Sequence, residues 1–137
     1  MAGEALASAA RRALLFLAPG MALAQPLPAG LQAIQGGGWR VILMPDATEP
    51  PATLRPMLAE IGRRLATETS GRVTIIAYAT GAGLDPSFTR RLSLARGQAI
   101  EAALIAGGLA EARIDIRPMG RSIAVDVVDI LPPGVRR

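Results

Sequence analysis

An amphipathic helical pattern stands directly between two short β-branched runs, and this order restricts the folds open to the chain. Apolar residues recur from Leu54 to Leu65 at steps of four, three and four, which places one apolar stripe along a helix. The run at 39–44 precedes this helix and the run at 72–78 follows it, and both have the composition of buried strands. The pattern therefore predicts a helix that connects two strands.

A second helix and two further strands continue the pattern. Asp85 is followed by proline, which is typical of an N-cap and a first helical position, and Gly107 provides a C-terminal stop. Residues 113–117 alternate in polarity and residues 123–130 form another apolar run, so both are predicted strands. The order β-α-β-α-β-β predicts an α+β two-layer sandwich, with two helices packed on one face of a mixed sheet.

The N-terminal residues have the composition of a signal peptide. Arg11 and Arg12 precede a short apolar run, and residues 22–24 have the Ala-x-Ala spacing of a cleavage site. We expect residues 1–24 to be a signal peptide that is removed, with an Ala-rich N-terminal helix as the alternative. The apolar run is shorter than the roughly 20 residues of a membrane-spanning helix, so we expect no transmembrane segment in the mature chain.

The rest of the chain divides into three parts. Residues 25–38 contain prolines and a glycine triplet, which oppose regular structure, so we expect a linker or a loosely docked arm. A single domain is predicted over residues 39–131. Residues 132–137 then form a flexible tail.

Several classes of chemistry are excluded by composition. The 137 residues include no His and no Cys, which removes imidazole bases, thiol nucleophiles, thiolate metal sites and disulfides. Asp126 and Asp129 are separated by an odd number of strand positions, so they should point to opposite faces and not act as a carboxylate pair. We expect no catalytic residue, metal or cofactor, and binding is favoured over catalysis.

The positive charge does not have the pattern of a nucleic-acid-binding protein. The net charge is +4, and all 15 basic residues are arginines. They are scattered along the chain without a block that is interleaved with aromatic residues. We therefore expect no nucleic-acid partner.

The segment from the second strand onward resembles a known family. A strand at 73–78 leads to the loop Ala-Thr-Gly-Ala-Gly at 79–83, and residues 92–100 read Leu-Ser-Leu-Ala-Arg-Gly-Gln-Ala-Ile. Gly-Leu-Ala-Glu-Ala-Arg-Ile-Asp follows at 108–115. In this order the motifs resemble the OmpA-like peptidoglycan-binding domain, and the resemblance extends over residues 39–130.

This resemblance implies a non-catalytic module of the Gram-negative cell envelope. Such a module lies in the periplasm, in association with the cell wall or the outer membrane. It binds peptidoglycan non-covalently, through the diaminopimelate of the stem peptide. Envelope proteins are further candidate partners.

The resemblance also implies a set of site residues. The family's helix arginine corresponds to Arg96 and its loop threonine to Thr80, but the aspartate that completes the family's site corresponds to Gly81. The site as aligned keeps a partner for the ligand carboxylate and lacks one for the ammonium group. Asp85 either supplies this charge or only caps the helix, and Ser93, one turn before Arg96, either faces the same pocket or lies on the surface.

Two functional hypotheses follow from these residues. In the first, Arg96 receives a stem-peptide carboxylate through its planar guanidinium group. In the second, Arg96 is a remnant of such a site, and the domain has lost wall binding and serves as a protein-interaction or assembly subunit of the envelope. The glycine at position 81 favours the second hypothesis.

Overall fold

The computed structural model describes residues 26–81 and 85–136. The predicted signal peptide at 1–24 lies outside the described residues. Within the described part of the chain, no helix is both long and apolar enough to cross a membrane.

The described residues form two long helices and five strands, with short 3₁₀ turns before α1 and before β4. The elements are β1 (Leu31–Ala33), β2 (Trp39–Ile42), α1 (Arg55–Glu68), β3 (Val73–Tyr78), α2 (Pro86–Ala106), β4 (Ile114–Gly120) and β5 (Val127–Leu131).

The strands form one mixed sheet in the order β1-β2-β5-β3-β4. β3 and β4 are parallel, and the other neighbouring strands are antiparallel. Side chains of α1 and α2, such as Leu58 and Ile100, share one core with Val41, Ile75 and Val128 of the sheet. The predicted α+β fold, with two helices on one face of a mixed sheet, is confirmed.

The sheet has one strand more than the sequence predicts. Residues 25–38 are expected to form a linker, but Leu31 and Ala33 pair with Val41 and Trp39 of β2. The glycine triplet forms the connecting turn, where the Ile34 amide donates to the Gly38 carbonyl at 2.9 Å. All three glycines have positive φ, so the residues expected to prevent regular structure instead close a hairpin.

β5 begins later than the sequence predicts, at Val127 and not at residue 123. β2 supplies ladder partners only as far as Ile42, which lies opposite Val127, and the Leu43 amide adds one bond to the Asp126 carbonyl. Residues 123–125 are exposed.

The two helices approach each other closely at glycines. A Cβ on Gly62 of α1 would collide with the backbone of Leu104, and one on Gly107 would collide with the backbone of Ala59. Small residues at the crossing therefore bring the helix backbones into contact and fix the position of α2 over the sheet.

Candidate functional site

Arg96 lies on the side of α2 that faces the sheet, and its side chain is completely buried. Its guanidinium group donates five hydrogen bonds, one to a carboxylate and four to backbone carbonyls. The acceptors are Asp126 Oδ1 at 2.8 Å and the carbonyls of Ala47 at 2.7 Å, Tyr78 at 2.9 Å, Met44 at 3.0 Å and Pro45 at 3.0 Å. Because a guanidinium group has five N–H donors, every donor of Arg96 has a partner within the chain.

Asp126 is the counter-ion of Arg96. Its Oδ1 also accepts from the Thr80 amide at 3.0 Å, and its Oδ2 accepts from the Thr80 hydroxyl at 2.8 Å. Burial raises the pKa of the Asp126 carboxyl, but the hydrogen bonds from Arg96 and Thr80 outweigh this effect and hold that pKa below its ordinary value. The carboxylate is therefore charged at neutral pH and firmly held.

The ion pair joins three elements of the fold. Arg96 belongs to α2, Thr80 follows β3, and Asp126 precedes β5. The Arg96 donors also hold the carbonyls of residues 44–47, which follow β2. The buried charges thus fasten one end of the sheet to the helix layer.

The other acid of the β5 segment points away from this cluster. Asp129 accepts hydrogen bonds from Arg40 Nε at 2.7 Å and Nη2 at 2.9 Å, on the face of the sheet that the helices leave uncovered. Asp126 has the same strand parity as the core residues Val128 and Ile130. The predicted placement of the two acids on opposite faces is confirmed.

Asp126 is not among the site residues that the motifs imply, although the sequence carries a signal for its pairing with Arg96. The alternation that separates Asp126 from Asp129 puts one of the two acids on the core face. A carboxylate on that face needs a buried cation, and Arg96 lies in an otherwise apolar stretch of helix. Together these points would have indicated the pair.

The residues predicted to form the site are only partly brought together. Thr80 is linked to Arg96 through the Asp126 carboxylate, which accepts from both residues. The next residue in the chain, Gly81, is buried and has a φ of +47°. Asp85 caps α2 by accepting from the amide of Phe88 at 2.7 Å.

Ser93 does not reach the Arg96 guanidinium and has other partners. Its hydroxyl donates to the Arg90 carbonyl at 2.9 Å and accepts from the Gly120 amide at 3.1 Å. Ser93 therefore ties α2 to the end of β4.

A cavity of about 430 Å³ opens beside the buried ion pair. The acidic residue that lines this cavity is Asp46. It follows Pro45, whose carbonyl accepts a hydrogen bond from Arg96. The cavity is lined by Pro45, Asp46, Thr48, Thr80, Gly81, Phe88 and Leu92.

The lining chemistry suits binding more than group transfer. Hydroxyl groups of threonines, a carboxylate and apolar surface surround a space that would hold a charged small group. Among residues 26–81 and 85–136, no group of three or more acidic residues is placed to hold a metal ion.

Several solved structures have the same fold at low sequence identity. The OmpA-like domain of FopA1 from Francisella tularensis superimposes with a TM-score of 0.58 at 17% identity, over 77% of this chain and 90% of that domain. The peptidoglycan-associated lipoprotein from Burkholderia pseudomallei gives a TM-score of 0.55 at 15% identity, over 67% of this chain and 87% of the other.

A third similar structure is the cell wall anchor of the T6SS from Pseudomonas aeruginosa. It gives a TM-score of 0.56 at 13% identity, over 74% of this chain and 85% of the other. No protein-family model and no curated protein sequence matches the chain. The chain therefore has the OmpA-like fold that its motifs predict.

Proposed function

We propose that this chain is a non-catalytic module of the cell envelope that associates non-covalently with peptidoglycan. The observation that carries the proposal is the cavity beside Arg96. Thr80 and Gly81, the loop positions that the family resemblance implies, line this cavity. The fold that positions them is similar to that of a peptidoglycan-associated lipoprotein and a cell wall anchor.

Asp46 provides the negative charge that Gly81 does not. A diaminopimelate-type stem peptide carries both an ammonium and a carboxylate, so a receptor needs an acid as well as a cation. The Asp46 carboxylate lies in the cavity lining and makes no ion pair with the described residues. A charge-assisted hydrogen bond from a ligand ammonium to this group contributes about 1.5–3 kcal/mol.

The ligand carboxylate takes the place of Asp126 on Arg96. Since all five guanidinium donors are occupied, a second carboxylate binds only after the Asp126 carboxylate leaves Nη1. Asp126 is the acceptor best able to leave, because it is a side-chain carboxylate that is 10% exposed, whereas the other four acceptors are backbone carbonyls. Displacement costs free energy, so we expect weak association with the wall.

Co-sedimentation with diaminopimelate-type sacculi tests this proposal. We expect the purified chain to sediment, Asp46→Asn to weaken its apparent affinity about tenfold and Asp126→Ala to strengthen it. Asp115→Asn is the matched control, because Asp115 lies on the uncovered face of the sheet and pairs with Arg72. Failure of both the unaltered chain and Asp126→Ala to sediment would refute wall binding.

The second candidate function is that of an envelope protein-interaction or assembly subunit without wall binding. This second function is favoured because all five guanidinium donors of Arg96 are hydrogen-bonded within the chain, which gives the arginine a structural role alone. This candidate predicts that the unaltered chain stays in the supernatant. If Gly81→Asp sediments while the unaltered chain does not, the fold has kept a receptor geometry that this sequence no longer uses.

A further inference from the structure

Most described arginines have a partner, but four do not. The guanidinium groups of Arg90, Arg117, Arg121 and Arg136 make no hydrogen bond or ion pair with the described residues. Two of them, Arg90 on α2 and Arg121 after β4, line the same cavity of about 660 Å³. The other lining residues are Pro86, Ser87, Thr89, Met119 and Gly120, and none of these is acidic.

The backbone around this cavity is fixed from both sides. The buried Ser93 hydroxyl donates to the Arg90 carbonyl and accepts from the Gly120 amide, so it ties the helix turn of Arg90 to the residue before Arg121. The Gly120 carbonyl in turn accepts from the Ala79 amide at 2.8 Å. The backbone positions of the two arginines are therefore fixed relative to each other.

Gly120 is the residue that permits this approach. Its φ is +57°, a left-handed conformation that residues with a side chain disfavour. After it, the Ser122 amide and hydroxyl both donate to the Met119 carbonyl, which closes a tight turn around Arg121.

Two like charges at one cavity repel each other, and an anion between them removes the repulsion. Each guanidinium presents a planar fork of donors, and a phosphate group has enough oxygens for two forks, whereas a carboxylate has only two oxygens. Ser87 adds a hydroxyl at the same cavity. Its oxygen accepts from Arg91 at 2.7 Å, which leaves its proton available for an anion.

We propose that the cavity between Arg90 and Arg121 binds a phosphate group, either free or carried by a lipid headgroup. This site lies on the β4 side of the α2 N-terminal turn and shares no lining residue with the cavity of Asp46. The proposal does not depend on wall binding.

Titration of the full chain with inorganic phosphate, followed by amide NMR spectra, tests the site. We expect saturable shifts centred on Gly120 and Arg121, and a loss of affinity of about tenfold or more in Arg90→Gln or Arg121→Gln. Arg117→Gln is the matched control, because the Arg117 side chain is also exposed and unpartnered but lines another cavity. Absence of saturable shifts, or an equal loss in the control, would overturn the proposal.

A vesicle assay distinguishes the two sources of phosphate. Flotation is measured with phosphatidylcholine vesicles that contain phosphatidic acid, in the presence and absence of inorganic phosphate. Binding that Arg121→Gln abolishes and inorganic phosphate competes away identifies a lipid headgroup. Saturable shifts with inorganic phosphate but no flotation identify free phosphate, whereas flotation that Arg117→Gln and Arg121→Gln weaken alike would contradict a localised site.

Discussion

The guanidinium of Arg96 and the carboxylate of Asp126, 30 residues apart in the sequence, form a buried ion pair 2.8 Å long. The pair occupies the position at which the family resemblance implies that a ligand carboxylate is received. Arg96 is therefore a structural cation as well as a candidate receptor, and these two roles compete for the same donors.

Removal of Arg96 is expected to destabilise the fold strongly. Arg96→Met leaves a buried carboxylate without its cation and removes the guanidinium donor from four backbone carbonyls, so we expect a loss of about 3–5 kcal/mol in the free energy of unfolding. Urea denaturation measures this loss. Arg91→Ala, which changes an exposed arginine of the same helix, is the control and should stay within about 0.5 kcal/mol.

Removal of Asp126 should cost less than removal of Arg96. In Asp126→Ala the guanidinium keeps its four carbonyl acceptors and loses only the counter-ion. We expect the double variant Arg96→Met/Asp126→Ala to be more stable than Arg96→Met alone, because no buried charge remains without its partner. A double variant less stable than Arg96→Met would show that the carboxylate stabilises the fold without Arg96.

The ion pair also gives stability a dependence on pH. The folded-state pKa of Asp126 is lowered from its ordinary value of 3.8, so its contribution is present above that value and is lost as the pH falls through the folded-state pKa. We expect the stability advantage of the unaltered chain over Asp126→Asn to be constant near neutral pH and to narrow below about pH 4. Denaturation curves measured from pH 7 down to pH 3 check this, and an advantage that grows in acid would contradict it.

The sequence predicts those parts of the fold that are governed by local chemistry. The stripe from Leu54 to Leu65 predicts α1, and the Asp85 cap and Gly107 stop predict α2 to within a residue of its observed bounds. The three-residue strand β1 could not be predicted in this way, because its stability comes from pairing with β2 and from three glycines that close the hairpin.

The candidate site was predictable only where local motifs determine it. Arg96 and Thr80 are found from the order of motifs, but the partner of Arg96 depends on the register of β5 against β2 and β3. Asp46 reaches the cavity because the segment after β2 is held by Arg96. Both acids are brought to the site by tertiary structure, which periodicity does not specify.

Because the two helices cross closely, a change from glycine to alanine at the crossing is expected to destabilise the fold, which is the opposite of its effect in an ordinary helix. Alanine normally stabilises a helix relative to glycine by about 0.5–1 kcal/mol, but Gly62→Ala places a Cβ against the Leu104 backbone, so we expect a loss of about 1–3 kcal/mol. Gly97→Ala should also lose stability but should cost less, because its Cβ would lie 2.6 Å from the Cγ2 methyl of Ile116, so that a side chain and not backbone has to shift. Thermal or urea unfolding of the two variants gives the comparison, and equal losses would contradict it.

A rescue experiment tests whether Asp46 supplies the negative charge of the family's aspartate, which corresponds to Gly81 in this chain. Both positions line one cavity, so Gly81→Asp should restore most of the sacculus binding that Asp46→Asn removes. The backbone at position 81 has φ of +47°, which Asp tolerates better than most residues, so the variant should still fold.

Gly108→Asp is the matched control for this rescue. It too places an aspartate at a glycine with positive φ, and nothing lies within 4 Å of the added Cβ. We expect Asp46→Asn/Gly81→Asp to recover binding while Asp46→Asn/Gly108→Asp remains weak, with unfolding curves to establish that both are folded. Equal recovery would assign the effect to net charge, and no recovery in a folded Gly81→Asp variant would show that the two positions do not serve the same ligand group.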